Sequence, residues 1–142
     1  MDDNINTLNE VNKGANMGMD SINFLINKVK DDDFKMILLE EYFDYEVISD
    51  KANKIYKKYN HGIPQTTNLF NKLMLFMGIN MRLMKDSTDS KIAQLLMQGT
   101  NMGIIEGRRL INNKNVDKKI NKLLNIFVSM QEKNVETLKK YL

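Results

Sequence analysis

The chain has 142 residues, of which 42% are hydrophobic and 27% charged, with a formal net charge of +3. That length can bury a core without covalent staples, and the composition is that of a globular domain, so one domain over 1–142 is expected. The absence of cysteine excludes disulfides, zinc knuckles, iron–sulfur clusters and thiol nucleophiles. One proline, Pro64, and seven glycines are too few turn residues for a sandwich or barrel, which leaves an all-α fold. Asn, Lys and Ile are abundant, as in AT-rich bacterial genomes, so the positive charge is not taken as a sign of nucleic-acid binding.

The opening stretch MDDNINTLNEVNKG is acidic and lacks a basic segment followed by an apolar run, so no signal peptide is expected and a cytoplasmic location is. Between Ile5 and Val29 the residues Ile5, Leu8, Asn12, Ala15, Met19, Ile22, Ile26 and Val29 recur at steps of three and four, which places them on one helix face. KDDD at 30–33 reads as a tight connection in which Asp31, Asp32 or Asp33 can cap the next helix. That helix runs from Phe34 to about Tyr59, with Phe34, Leu38, Tyr45, Ile48, Ala52, Ile55 and Tyr59 inward, and lysines at its C-terminal end where the macrodipole is negative.

NHGIPQTTN at 60–68 is the strongest break in the chain. After it, the span 68–85 is expected to be a crossover helix, its stretch LFNKLMLFMGINMRLM apolar over most of its circumference but too short and too interrupted to cross a bilayer. DSTDS at 86–90 offers several caps for a helix from Lys91 to Asn112. NNKNVD then turns the chain into a last helix from Lys118 to Tyr141, with Ile120, Leu123, Leu124, Phe127, Met130, Leu138 and Tyr141 apolar.

GANMG at 14–18 returns as GTNMG at 99–103, and the same offset of 85 residues aligns Leu25, Ile26 and Asn27 with Leu110, Ile111 and Asn112, Asp32 with Asp117, and Leu38 and Leu39 with Leu123 and Leu124. The match covers two helices and their turn. It reads as an internal repeat of a helical hairpin, hairpin 1 over 4–59 and hairpin 2 over 90–141, with the crossover between the copies. Each mid-helix glycine costs about 0.5–1 kcal/mol relative to alanine. Gly14, Gly18, Gly99, Gly103 and Gly107 are therefore expected at a close helix contact, with the first and third helices side by side.

Over nearly its full length the chain resembles ferritin-like four-helix bundles. LFMGINMRLMKDSTDSKIAQLLMQGTNMGIIEG resembles, more closely, the second half of a group of small all-helical proteins of low-GC Firmicutes. The broader resemblance implies a di-iron or di-manganese centre built from two Glu and two Glu-x-x-His motifs. This chain departs from that pattern: its single histidine, His61, lies in the loop, and no Glu-x-x-His occurs. No cofactor is expected. The alternative is a carboxylate-only iron or manganese site drawn from Glu41, Glu46 and Glu106, against which stands the reading that Glu41 and Glu46 edge the apolar stripe and Glu106 pairs with Arg109.

No catalytic residue is nominated. Tyr42, Tyr45, Tyr56 and Tyr59 read as core and rim residues, and Lys114, Lys118, Lys119 and Lys122 as a solvated face. Met74, Leu75, Met77, Ile79 and Met81, spread over more than one face of the crossover helix, would leave apolar surface that self-association can bury. The expected function is that of a non-enzymatic structural or interaction protein forming a homodimer or other homo-oligomer. A further protein partner is allowed; nucleic acid and membrane are not expected partners.

Overall fold

The computed structural model describes residues 3–59, 75, 78 and 87–142. Four long α-helices account for nearly all of these: α1 (Asp3–Leu25), α2 (Asp32–Tyr59), α3 (Asp89–Asn113) and α4 (Lys118–Leu138). Among the described residues there is no strand, and no helix is long and apolar enough to cross a membrane. The crossover helix expected over 68–85 lies outside the described residues except for Leu75 and Gly78, both helical.

The ends of the helices follow local chemistry. The first helical pattern, read to Val29, tightens into a 3₁₀ turn over Ile26–Lys28, and the last becomes 3₁₀ at Lys139–Tyr141, as helix ends commonly do. Of Asp31, Asp32 and Asp33, the last two already lie in the first turn of α2 and Asp31 acts as the cap, its Oδ1 accepting the N–H of Phe34 at 2.9 Å. Thr88 caps α3, its hydroxyl accepting the N–H of Lys91 at 3.2 Å.

α1 pairs with α2, and α3 with α4, each as a hairpin; the hairpins meet through α1 against α3, α2 against α4, and α1 against α4. Their loops are clasped reciprocally. The Asp89 carboxylate, at the start of α3, accepts the N–H of Lys30 at 2.8 Å and of Asp31 at 2.9 Å in the α1–α2 loop. At the opposite end, Asp3 and Asn4 of α1 accept the N–H groups of Asn115 at 3.1 Å and Asp117 at 2.9 Å in the α3–α4 loop. Each hairpin thus satisfies loop donors of the other, through exposed bonds for which water competes. The Tyr59 hydroxyl also donates to Asp117.

One continuous core runs between the hairpins, with Leu8, Leu25, Phe34, Leu38, Ile92, Ile120, Leu124 and Leu138 essentially without exposure. Burying a side chain of this size contributes about 1.5–3 kcal/mol. Phe34 stacks on Tyr141 with ring centroids 4.3 Å apart and planes 9° from parallel, closing that core at the α2 N-terminus. The three-and-four pattern of α1 is the buried one: Leu8, Asn12, Ala15, Ile22 and Val29 are buried, and Ile5, Met19 and Ile26 partly so.

Candidate functional site: a polar cavity between the hairpins

Glycine decides where the interior stays open. A Cβ at Gly14 would stand 2.7 Å from the Phe127 ring of α4, and one at Gly18 2.5 Å from the Tyr45 ring of α2. At Gly103 and Gly107 a Cβ would collide with the Gln131 amide and a Val128 methyl of α4. The room is thus taken by side chains from α2 and α4, whereas the repeat alone suggests a close approach of the α1 and α3 backbones. Gly14, Gly18, Gly99 and Gly103 line a cavity of about 40 Å³ at the centre of the four helices.

The polar groups of this cavity come from all four helices: Ser21 from α1, Glu41 and Tyr45 from α2, Thr100 from α3 and Gln131 from α4. Glu41 is 6% exposed and Gln131 2%. The Oε1 of Glu41 and the Nε2 of Gln131 are fully buried and have no hydrogen-bond partner. Leaving such groups unmade costs on the order of 1–3 kcal/mol each, so their persistence at one spot calls for an occupant. The volume has room for a few water-sized species, at ~10–15 Å³ for each.

Burial pushes the Glu41 carboxyl up to about 8, helped by the negative charges of Asp44 and Glu40. It is therefore chiefly a neutral acid at pH 7. Burial and the neighbouring Glu41 raise the Tyr45 phenol above its ordinary value, while the side chains of Thr100 and Asn134 beside it oppose that rise. The Thr100 hydroxyl donates to the Leu96 carbonyl at 2.7 Å, so its lone pairs are what it offers the interior. Polar burial elsewhere is mixed: the Ser49 hydroxyl donates to Asn12 Oδ1 at 2.7 Å, whereas Thr7 Oγ1, Asn9 Oδ1 and Asn134 Nδ2 are also buried without a partner.

The three carboxylates of the iron or manganese alternative are not brought together. Glu41 lines the cavity; Glu46, five residues or about 140° further round α2, is exposed; Glu106 is on α3, where its Oε1 accepts from Arg109 at 2.8 Å. Among the described residues no group of three or more His, Cys, Asp or Glu side chains is placed to hold a metal ion. Of the self-association set, Met74, Met77, Ile79 and Met81 lie outside the described residues, as does His61, and Leu75 is 63% exposed. Tyr45 and Tyr56 are buried, Tyr42 and Tyr59 partly so. Lys118, Lys119 and Lys122 are exposed, and Lys114 pairs with Asp3 at 3.7 Å.

A second cavity, of about 210 Å³, lies among α1, α3 and α4, with Phe127, Met102 and Leu110 on its walls and Lys13, Glu10 and Arg109 among its polar residues. The Lys13 amine is buried without a partner, and desolvation lowers its pKa against the opposing effect of Glu10.

Sequence reasoning missed an exposed apolar stripe. Met36, Leu39 and Phe43 of α2 are 59%, 53% and 61% exposed. Their spacing of three and four puts them on one face, a signal visible in the sequence once the inward stripe is assigned. Phe43 continues into a groove between α2 and α4 that holds Val47, Ile126 and Met130.

Searches against protein-family models, curated proteins and solved structures find no match to this chain.

Proposed function

We propose that this chain is a non-enzymatic helical interaction module of the bacterial cytoplasm that self-associates as a homodimer through the outer face of α2. The observation that carries the reading is the row Met36, Leu39 and Phe43, three large apolar side chains more than half exposed on consecutive turns. A contiguous row of this kind is uncommon on a monomer's surface and marks an interaction site.

A second copy fits this face by charge. Glu40 borders the stripe between Leu39 and Phe43, and Lys51 lines the groove further along α2. Two α2 helices packed antiparallel about a twofold axis near Phe43 and Val47 set the acidic end of each against the basic end of the other, the self-complementarity an isologous interface requires. The absence of cysteine agrees with a reducing compartment.

The finer architectural reading, a ferritin-like bundle descended from a duplicated hairpin, belongs to this proposal. Shifted by the offset of 85, the bounds of α1 become 88–110, beside Asp89–Asn113 for α3, and α2 would begin at 117, beside Lys118 for α4. Asn4 falls on Asp89 under the same shift, and both take part in the reciprocal loop clasps, Asn4 together with its neighbour Asp3.

The test is native mass spectrometry of protein purified without chelator, on the wild type and on Phe43→Lys. A dimer free of iron and manganese that becomes a folded monomer on substitution supports the proposal. A wild-type monomer at all concentrations refutes it, and a stoichiometric iron or manganese would restore the carboxylate alternative.

A further inference from the structure

We infer that the central cavity is a binding site for one monovalent hard cation, of the class of sodium, potassium or ammonium, held by the Glu41 carboxylate and neutral oxygens of Ser21, Tyr45, Thr100 and Gln131. Three independent observations converge on it. Gly14, Gly18, Gly99 and Gly103 all line the cavity, so that stretch of its wall is bare backbone rather than side chain. Two side chains more than nine-tenths buried, Glu41 and Gln131, carry polar atoms without a partner there. Among the described residues that line it there is one carboxyl group and no cationic side chain.

The donor set selects the ligand. Carboxylate, hydroxyl and amide oxygens suit hard cations, and the lining holds no imidazole or thiolate, its one sulfur being the thioether of Met17. Gln131 can present either end of its amide to the interior. A single ionisable carboxyl neutralises a single positive charge. A divalent ion would leave an uncompensated charge among Met17, Ile22 and Leu96, which is expensive in a low-dielectric interior.

Binding is coupled to a proton. Without a cation Glu41 is protonated, and on binding its O–H bond breaks, the proton goes to solvent, and the carboxylate takes the cation, so charge inside the cavity is conserved. The charged groups that bear on it are Glu40 and Asp44 of its own helix, with Tyr45 the neighbouring titratable group. The side chains that α1, α3 and α4 turn to the cavity, Met17, Ser21, Ile22, Leu96, Thr100 and Gln131, have none that titrates.

The experiment compares thermal unfolding of the full chain at constant ionic strength in choline chloride with that in sodium, potassium, ammonium, magnesium, calcium and manganese chlorides. One of the three monovalent salts is expected to raise Tm saturably above choline. In weakly buffered solution at pH 7.5 that salt is also expected to release about three quarters of a proton per chain, from a carboxyl titrating near 8. Glu41→Gln should abolish both effects, and Ser21→Ala, which keeps the charge, should weaken binding about tenfold. If Glu41→Gln does not fold by circular dichroism, the wild-type proton release and Ser21→Ala decide. Equal behaviour in all salts, preference for a divalent ion, or a Tm response unchanged in Glu41→Gln or Ser21→Ala would overturn the inference.

Discussion

Asp89 reaches across from one hairpin to the other, its carboxylate accepting the backbone N–H of Lys30 at 2.8 Å while its second oxygen takes that of Asp31 at 2.9 Å. Both bonds are charge-assisted, and each is the loop donor's tie to the rest of the molecule. Asp89→Ala is expected to lower stability in urea unfolding by about 1–3 kcal/mol, because it removes two such bonds with part of the loss returned by water. Asn4→Ala, which loses a neutral acceptor for the N–H of Asp117, should cost less, about 1 kcal/mol. Equal, negligible losses would mean that the clasps form only incidentally to the packing.

The glycines separate tight packing from helix propensity. Gly18→Ala puts a Cβ 2.5 Å from the buried Tyr45 ring, and Gly107→Ala puts one against a Val128 methyl that a β-branched side chain cannot swing away. Each should destabilise by about 1–3 kcal/mol despite alanine's better propensity. Gly78, helical with nothing within 4 Å of its missing Cβ, provides the contrast: Gly78→Ala should gain about 0.5–1 kcal/mol. Differential scanning calorimetry of the three variants reads the sign of each change.

Much of the fold was legible because apolar residues at steps of three and four leave few alternatives to a helix. Leu8, Ile22, Leu38 and Leu124 were placed inward by spacing, and they are buried. The cavity was only half legible. Glu41 stood out near an apolar stripe, yet Ser21, Thr100 and Gln131 are residue types that usually face water, and no periodicity distinguishes a polar residue turned inward from one turned outward. What the sequence did carry was the paired glycines, whose cost in a helix signals space; that side chains of α2 and α4 occupy it depends on how the hairpins face one another. The stripe at Met36, Leu39 and Phe43 was hidden for a related reason: three and four is also the spacing of an inward face, and only packing decides which of two such faces is covered.

Glu41 gives the stability curve a direction. Its folded-state value of about 8 lies above the ordinary 4.5, so between those pH values the folded chain holds a proton that the unfolded chain has lost. The stabilisation from the protonated acid is complete below about 4.5, declines as pH rises, and is exhausted above about 8. A shift of this size corresponds to roughly 5 kcal/mol over the window, at about 1.4 kcal/mol for each pH unit. In choline salts, Glu41→Gln should remove that slope and leave the variant more stable than the wild type at pH 8.5. Urea unfolding at pH 5.5, 7 and 8.5 tests this; parallel curves for the two proteins would show that Glu41 is solvated in the native state.

The α2 face makes a prediction about charge that apolar substitution alone cannot make. In an antiparallel pair centred near Phe43 and Val47, Glu40 of one chain stands near Lys51 of the other, and the same pair recurs across the twofold axis. Both side chains are exposed in the single chain, so reversing either should leave its stability nearly unchanged, within about 0.5 kcal/mol. Dimerisation should respond differently, since Glu40→Lys or Lys51→Glu places like charges together twice per dimer and should weaken association about tenfold or more at low salt. The double variant Glu40→Lys, Lys51→Glu restores opposite charges and should recover most of that loss. Sedimentation equilibrium at low and high salt reads all four proteins. A double variant as weak as either single one would show that α2 does not pack antiparallel on itself, whatever else buries Met36, Leu39 and Phe43.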